Sequence, residues 1–573
     1  MGALLSQIRT TLATFSSLAS AYSKLGKRIE SSPGIPVPNP STPYWAIPPS
    51  SIAKHTHEEF PEYADVVIIG SGITGTSFAR ELLDGYYGGK KKVSDSDSDK
   101  KPIKVVMLEA RDACSGATAR NGGHVRPVSY PEYPAWKKKY GVEEARGVVR
   151  FRRSHVEEML RVAEEEDLLG DSQARRVQTY DVFYEKALFE DMKGRLEVYL
   201  EDISEEKGEW AVLEDRESIR NLQLADRVAG IISTAAGVLH PYRLVTGILE
   251  RLLKTYPESF FLFTNTPCTT VSAPFLNSNY IVRTPKGSIQ TRHVIHATNG
   301  WASHLLEPMR SKIIPLRGVM TAQRPGTDLG HISATQPTKE SWLGQRSFLF
   351  FPGSEELQFD YLSQMPVSTP ASSPSKYPTP SGELMYGGGF FHNGISEFNL
   401  TDIGNVDDTD WDHGVEAYLA GALASGLDGG WFGRHWGEEG RPSGDVTQFN
   451  GYNEEFGKGR VIKAWSGIMG YSADRMPWVG RLPPKTAGRE GPKYPSKAGA
   501  AEETAASSLA TSGEWIAAGF SGEGMVQAWM CGKALAGMVL GKDAGEDPAI
   551  PLLPDCLIIT EKRWRRARPE DAI

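Results

Sequence analysis

Asp65-Val66-Val67-Ile68-Ile69-Gly70-Ser71-Gly72-Ile73-Thr74-Gly75 is the stretch that decides the fold. A short run of β-branched residues ends at a glycine, as a buried parallel strand does. Residues 73–87 then read as a helix. Gly70-x-Gly72-x-x-Gly75 lies at the junction, and a strand before with a helix after is the context this spacing needs to mark a dinucleotide site. The first glycine permits a tight turn. The second lets backbone approach a pyrophosphate, and the third lets helix and strand pack closely. The helix start adds unpaired N–H groups and partial positive charge for the phosphates.

Such a site also needs an acidic residue about 20 positions further on, at the end of a second strand, to bind a ribose hydroxyl. The stretch 103–109 (Ile-Lys-Val-Val-Met-Leu-Glu) forms that strand and ends at Glu109, which comes too late after Gly75 for the bare spacing. The polar stretch 88–102 between them reads as a solvated loop. With that loop set aside, the separation returns to about 20. A carboxylate here would repel a 2′-phosphate, which argues against NADP.

FAD and NAD both fit that spacing, and the next segment separates them. Residues 114–124 interleave Gly116, Gly122 and Gly123 with Thr118, Arg120 and Asn121, where a simple NAD dehydrogenase has a helix. A flavoprotein needs a loop here to wrap the ribityl chain and the ring. Further landmarks follow in order. They are Leu108-Glu109-Ala110-Arg111, Gly237-Val238-Leu239-His240-Pro241 and Val294-Ile295-His296-Ala297-Thr298-Asn299-Gly300. Trp465-Ser466-Gly467-Ile468-Met469 with Asp474 and Pro477 comes next, then Gly519-Phe520-Ser521-Gly522-Glu523-Gly524-Met525 before a C-terminal helix over 523–541.

With these landmarks the sequence resembles the D-amino-acid-oxidase/glycine-oxidase/sarcosine-oxidase superfamily of FAD-dependent oxidoreductases, over about residues 40–545. It is most similar to the branch with γ-glutamylputrescine oxidase and fungal members. The resemblance implies an α/β chain (α+β overall), a Rossmann-like FAD-binding domain interleaved with an antiparallel-sheet substrate domain. The expected parts are an N-terminal helix and lead-in (1–60), the FAD-binding domain (61–170, 236–304 and 466–545), the substrate domain (171–235 and 305–465) and a C-terminal tail (546–573).

The implied cofactor is FAD, held non-covalently. The residues expected against it are Gly70, Gly72, Ile73, Thr74, Gly75, Glu109, Ala110, Arg111, Gly116, Ala117, Thr118, Arg120, Asn121, Gly122, Gly123, Ala297, Thr298, Gly300, Gly519, Gly522, Glu523, Gly524 and Met525. In such proteins the last helix points its N-terminus at the flavin pyrimidine, where its dipole stabilises developing negative charge. His124 and Arg120 are the ring-side candidates for flavin tuning or substrate contact, with a structural role open for either.

The resemblance implies oxidation of an amine or amino-acid C–N bond to an imine by hydride transfer to the flavin, with O2 or another electron acceptor. Departures from the sarcosine-oxidase pattern bear on the substrate. A carboxylate-holding lysine of that pattern falls on Val526, an oxygen-linked lysine falls on Met385, and no cysteine stands near Gly467 to tether FAD. An amine or capped polyamine fits these departures better than a free amino-acid carboxylate. Trp465, Tyr471, Phe390 and Phe391 are candidates for an apolar pocket or for core. A non-catalytic FAD-binding assembly protein and a dehydrogenase serving another acceptor are the alternatives.

Composition bounds these readings. Of 573 residues, 59 are glycine, about 10% against a usual 7%. Net charge is −8, which gives no general electrostatic reason to bind nucleic acid, although residues 562–568 make a short basic run. Cys114, Cys268, Cys531 and Cys556 are scattered, without the pairing of a thiolate metal site. No apolar run reaches the roughly 18 residues of a membrane span. Residues 1–29 lack Asp and Glu and carry an amphipathic stripe, and Gly2 sits in a myristoylation-type pattern. An ordinary packing helix in a cytoplasmic protein is the first expectation. A mitochondrial targeting segment and an acylated membrane anchor are the others. Residues 141–167 read as a long helix whose charges form a solvated face.

Overall fold

The computed structural model describes residues 16, 19–88, 102–273, 279–330, 344–356, 358–367, 377–389, 400–424, 430–440, 456–492, 509–542 and 550–571. Phe390, Phe391, Gly2 and most of the N-terminal stripe lie outside these residues, as do parts of the polar insertions.

Two sheets organise the chain. The first has eight strands and is built around Tyr63–Ile69. Val105–Leu108 pairs parallel on one side of that strand, and Gly287–His296 pairs parallel on the other. Phe260–Phe263 and Gly513–Ala518 extend the parallel set outward, and Trp478–Arg481 closes one edge antiparallel. The chain therefore leaves the central strand toward opposite sides. This is a topological switch point, with its crevice at the carboxyl ends of the strands. Val66, Val67 and Ile68 are fully buried, as strands covered on both faces require. Each such side chain contributes about 1.5–3 kcal/mol of burial.

The turn after the central strand is shaped by glycine. Gly70 has φ +111°, and a Cβ there would stand 2.6 Å from the Ala297 carbonyl oxygen. A Cβ on Gly75 would stand 2.1 Å from the Gly70 carbonyl oxygen, so the helix Ile73–Tyr86 packs onto its own strand only with glycine there. The C-terminal helix Ala528–Val539 lies against this helix, and the Ser77 hydroxyl donates to the Trp529 carbonyl (2.7 Å).

The second sheet has nine strands. Its order runs from Val461–Ser472 through Ile313–Gln323, Leu384–Gly388, Asp360–Gln364, Arg346–Phe351, Arg175–Phe183 and Gly230–Val238 to His124–Val125, with Ala211–Leu213 on the side. It is antiparallel except where Arg346–Phe351 runs parallel to Arg175–Phe183. It takes in His124–Val125 and the whole of Val461–Ser472, so the sheet boundary differs from the breaks expected at 170 and 465.

The long helix Val142–Glu165 corrects one expectation. Its charges are not all on a solvated face. Arg152 and Glu158 are buried; Arg152 pairs with Glu523 and Glu158 with Lys533, tying this helix to the C-terminal segment.

Candidate functional site

A cavity of about 1520 Å³, open mouth included, lies at the switch point between the two sheets. The first sheet supplies its hydrogen-bonding side. Gly70, Gly72, Ile73 and Thr74 come from the turn and helix start, and Glu109, Ala110 and Arg111 from the end of the second strand. Gly116, Ala117, Thr118, Arg120 and Asn121 come from the loop that follows, with Ala297, Thr298, Gly522, Gly524 and Met525 completing that side.

Local hydrogen bonds hold this cradle. Glu109 Oε2 accepts from the Ser71 backbone N–H (3.1 Å) and the Ser71 hydroxyl (2.7 Å), and Oε1 accepts from the Arg111 N–H (3.1 Å). The acidic residue is thereby pinned beside the glycine turn, where a ribose would lie. Thr118 Oγ1 accepts from the Ile73 N–H (2.9 Å), fastening the wrapping loop to the helix start. Two polar atoms on the wall are left open: Thr298 Oγ1 and Trp301 Nε1 are buried with no hydrogen-bond partner among the described residues. Both could pair with polar groups of a bound ligand. A long, polar, phosphate-bearing cofactor fits this cradle.

The opposite wall comes from the second sheet. Gly318, Met320, Tyr361, Gly467, Ile468 and Met469 line it. None is charged. The Tyr361 hydroxyl contacts Met320 Sδ at 2.7 Å.

Several expected residues stand off the wall. Gly75 serves helix–strand packing. Gly122 lies under the Tyr361 ring, 2.9 Å from where its Cβ would be. Gly123 packs on the Leu239 carbonyl, Gly300 on the Met469 carbonyl, and Gly519 beside Trp478. The Glu523 carboxylate turns to Arg152. His124 sits in a short strand opposite Val238, away from the cavity lining. Burial, reinforced by Arg126, pushes its imidazole down to about 3, so it is neutral, and its Nε2 is buried with no partner among the described residues.

Arg120 is on the wall, yet its donors are already engaged. Nε donates to the Ser115 carbonyl (2.8 Å), Nη1 to the Ser466 carbonyl (2.6 Å) and the Ser41 hydroxyl (3.1 Å), and Nη2 to the Ser41 carbonyl (2.7 Å). Desolvation lowers its guanidinium to about 10, so it stays cationic at neutral pH. Arg120 braces the loop rather than reaching toward a reacting atom. Val526 and Met385 are both buried and off the lining, and Trp465 is core.

Sequence reasoning missed Gly34, Ile35 and Pro36, which line the cavity from the lead-in, and Met320 and Tyr361 on the far wall. No motif marks them. The lead-in reads only as Pro-rich chain, and single residues on alternating strands carry no spacing signal.

A dinucleotide cradle at the switch point of a mostly parallel sheet, closed by a second sheet with an uncharged face, is the build of a FAD-dependent oxidoreductase. The chain belongs to the DAO family, "FAD dependent oxidoreductase", whose family model matches residues 65–538, and its cofactor is FAD. It is 25% identical over 280 residues to gamma-glutamylputrescine oxidoreductase of Escherichia coli (strain K12), a match covering 46% of this chain and 56% of that protein, little more than half its length. Among solved structures it is similar in fold to L-proline dehydrogenase from P. horikoshii (17% identity, TM-score 0.52, 87% of this chain and 97% of that one). Glycine oxidase from Geobacillus kaustophilus is likewise similar (15% identity, TM-score 0.51, 86% and 99%). Among the described residues no helix is long and apolar enough to cross a membrane.

Proposed function

We propose that the protein oxidises the C–N bond of an amine or amino-acid-like substrate. FAD, when bound, supplies a two-electron acceptor for hydride from the carbon next to nitrogen. The cradle of Gly72, Thr118, Glu109 and Arg111 would hold the cofactor, and the second sheet would hold the substrate. The uncharged wall of Met320, Tyr361, Ile468 and Met469 carries this reading. An uncharged wall disfavours an ammonium ion and favours the free amine, the form from which hydride leaves. The substrate then loses hydride to that acceptor and an N–H proton to solvent, and water hydrolyses the resulting imine.

The second-sheet wall offers no cation for a substrate carboxylate among the described residues, so an amine or capped polyamine is the favoured substrate class. FAD is held without a covalent bond, and O2 is the acceptor in this first reading. A second reading is a dehydrogenase passing electrons to another acceptor.

An anaerobic screen of holoprotein against amines, polyamines and N-methyl amino acids tests the proposal. Bleaching of the flavin band near 450 nm by at least one amine is expected. Full oxidation in every case would overturn it. Re-oxidation on admitting air, slow or fast, then separates the two acceptor readings.

A further inference from the structure

The chain ahead of the central strand lines the cofactor cavity, and Asp408 links it to two arginines of the cavity wall. Gly34, Ile35 and Pro36 lie on the cavity wall. The segment is anchored upstream, where Arg28 Nε donates to the Ile403 carbonyl (2.7 Å) and the Ile29 carbonyl accepts from the Ser311 N–H (3.1 Å). It is anchored downstream by Trp45 Nε1, which donates to the Asn121 carbonyl (2.5 Å).

Asp408 meets the segment at Ser41. Its side chain is fully buried, and both carboxylate oxygens accept from Arg111 Nη1 (2.9 and 3.0 Å), with Arg120 Nε at 3.5 Å. Its backbone carbonyl accepts from the Ser41 N–H (2.7 Å) and the Ser41 hydroxyl (2.8 Å). Ser41 in turn accepts from Arg120, and the Val37 carbonyl accepts from Arg111 Nη1 (3.4 Å). One residue thus joins this segment to two arginines that themselves line the cavity. Without its carboxylate, two buried guanidinium ions would face each other without that counter-charge, and the wall would have to open or admit water to solvate them.

We propose that residues 33–43 form a strap over the bound cofactor, and that Asp408 is the positioning residue that latches it through Arg111, Arg120 and Ser41. FAD then leaves only when the strap lifts, and the latch sets how slowly it leaves. The proposal depends on FAD as cofactor and is independent of the substrate.

The test is FAD release from full-length holoprotein, followed as the rise of free-flavin fluorescence after dilution. The variants are Asp408→Asn, Asp408→Glu and Ser41→Ala. Asp408→Asn should release FAD about tenfold faster or more, which is about 1.4 kcal/mol or more of lost barrier. Ser41→Ala should speed release in the same direction and leave thermal unfolding of the FAD-stripped protein little changed, and Asp408→Glu should restore part of the retention. Wild-type release from Asp408→Asn would overturn the proposal. So would equal loss of stability with and without FAD at an unchanged release rate. If Asp408→Asn yields no folded protein, Ser41→Ala decides: release at the wild-type rate overturns the strap, and faster release supports it.

Discussion

The two walls of one cavity are built on different principles. On the first sheet the contacts are largely backbone, set by glycines at fixed spacing and by Glu109, Thr118 and Ser71 bonding between neighbouring turns. On the second sheet they are side chains, Met320, Tyr361, Ile468 and Met469, brought together from strands far apart in sequence. A cofactor common to many enzymes can be met by backbone geometry. A particular substrate must be met by chosen side chains. The difference predicts that damage to the first wall empties the site, whereas damage to the second leaves it full and changes what it does.

The harshest break is Gly75→Val. A Cβ 2.1 Å from the Gly70 carbonyl cannot be relieved by a rotamer change, because the obstacle is backbone in the turn itself. Overpacking of this kind costs about 1–3 kcal/mol, occasionally more. The expected outcome is little folded holoprotein, read as flavin content and melting temperature. Normal flavin content would show that the turn tolerates displacement and that the first wall is less exacting than described.

Next in size is Glu109→Gln. The substitution keeps the shape but removes the charge that accepts from Ser71 and from the Arg111 N–H. Hydrogen bonds to charged groups contribute about 1.5–3 kcal/mol each. FAD affinity should fall at least about tenfold by titration of the stripped protein, while the rate of flavin reduction in whatever holoprotein forms stays near wild type. A changed reduction rate at full occupancy would blur the division between the walls.

A smaller effect comes from the far side. Tyr361→Phe removes the hydroxyl beside Met320 Sδ, and Met320→Leu keeps volume at a cost below about 1.5 kcal/mol. Flavin content should be unchanged, and the anaerobic reduction rate should shift by about threefold to tenfold for an amine substrate, at or below the roughly 1–3 kcal/mol of pocket-level discrimination. Loss of flavin without a change in rate would reverse the comparison.

The same contrast explains what could be read from residues alone. The strand Tyr63–Ile69, its helix, the second strand and Glu109 are legible because their chemistry is local and periodic, and the polar loop between them could be set aside. The helices near 73–87 and 141–167 are legible for the same reason. The second sheet is less so: its one parallel pair, Arg346–Phe351 on Arg175–Phe183, depends on pairing across a long separation that no local pattern records. His124 and Gly123 follow a cofactor loop in sequence yet belong to the second sheet and its neighbours, because the chain turns away from the cavity after Asn121. The strap is illegible because Pro-rich chain has no periodicity, and its latch, Asp408, arrives from a distant part of the chain.

The mildest prediction concerns acid stability, and it separates a packed histidine from a working one. His124 is held down to about 3 by burial and by Arg126, His293 to about 3 by burial and nearby arginines, and His155 to about 4 by burial. Unfolded, each would titrate near 6.5, so below that pH the unfolded chain binds protons that the folded chain refuses. The histidines' contribution to stability is therefore fully present above pH 6.5 and is lost progressively as pH falls from 6.5 toward 3. Glu132 acts in the opposite sense: burial raises it to about 7 from an ordinary 4.5, so its contribution is lost as pH rises through that interval. Each histidine contributes at most about 1.4 kcal/mol per pH unit across its window. His124→Asn should flatten the fall in urea-unfolding free energy between pH 6 and 4 by a part of one such slope, and leave the pH profile of flavin reduction between pH 6 and 8 unmoved. A histidine acting on substrate would do the reverse, shifting the reduction profile while the unfolding slope stayed as it was.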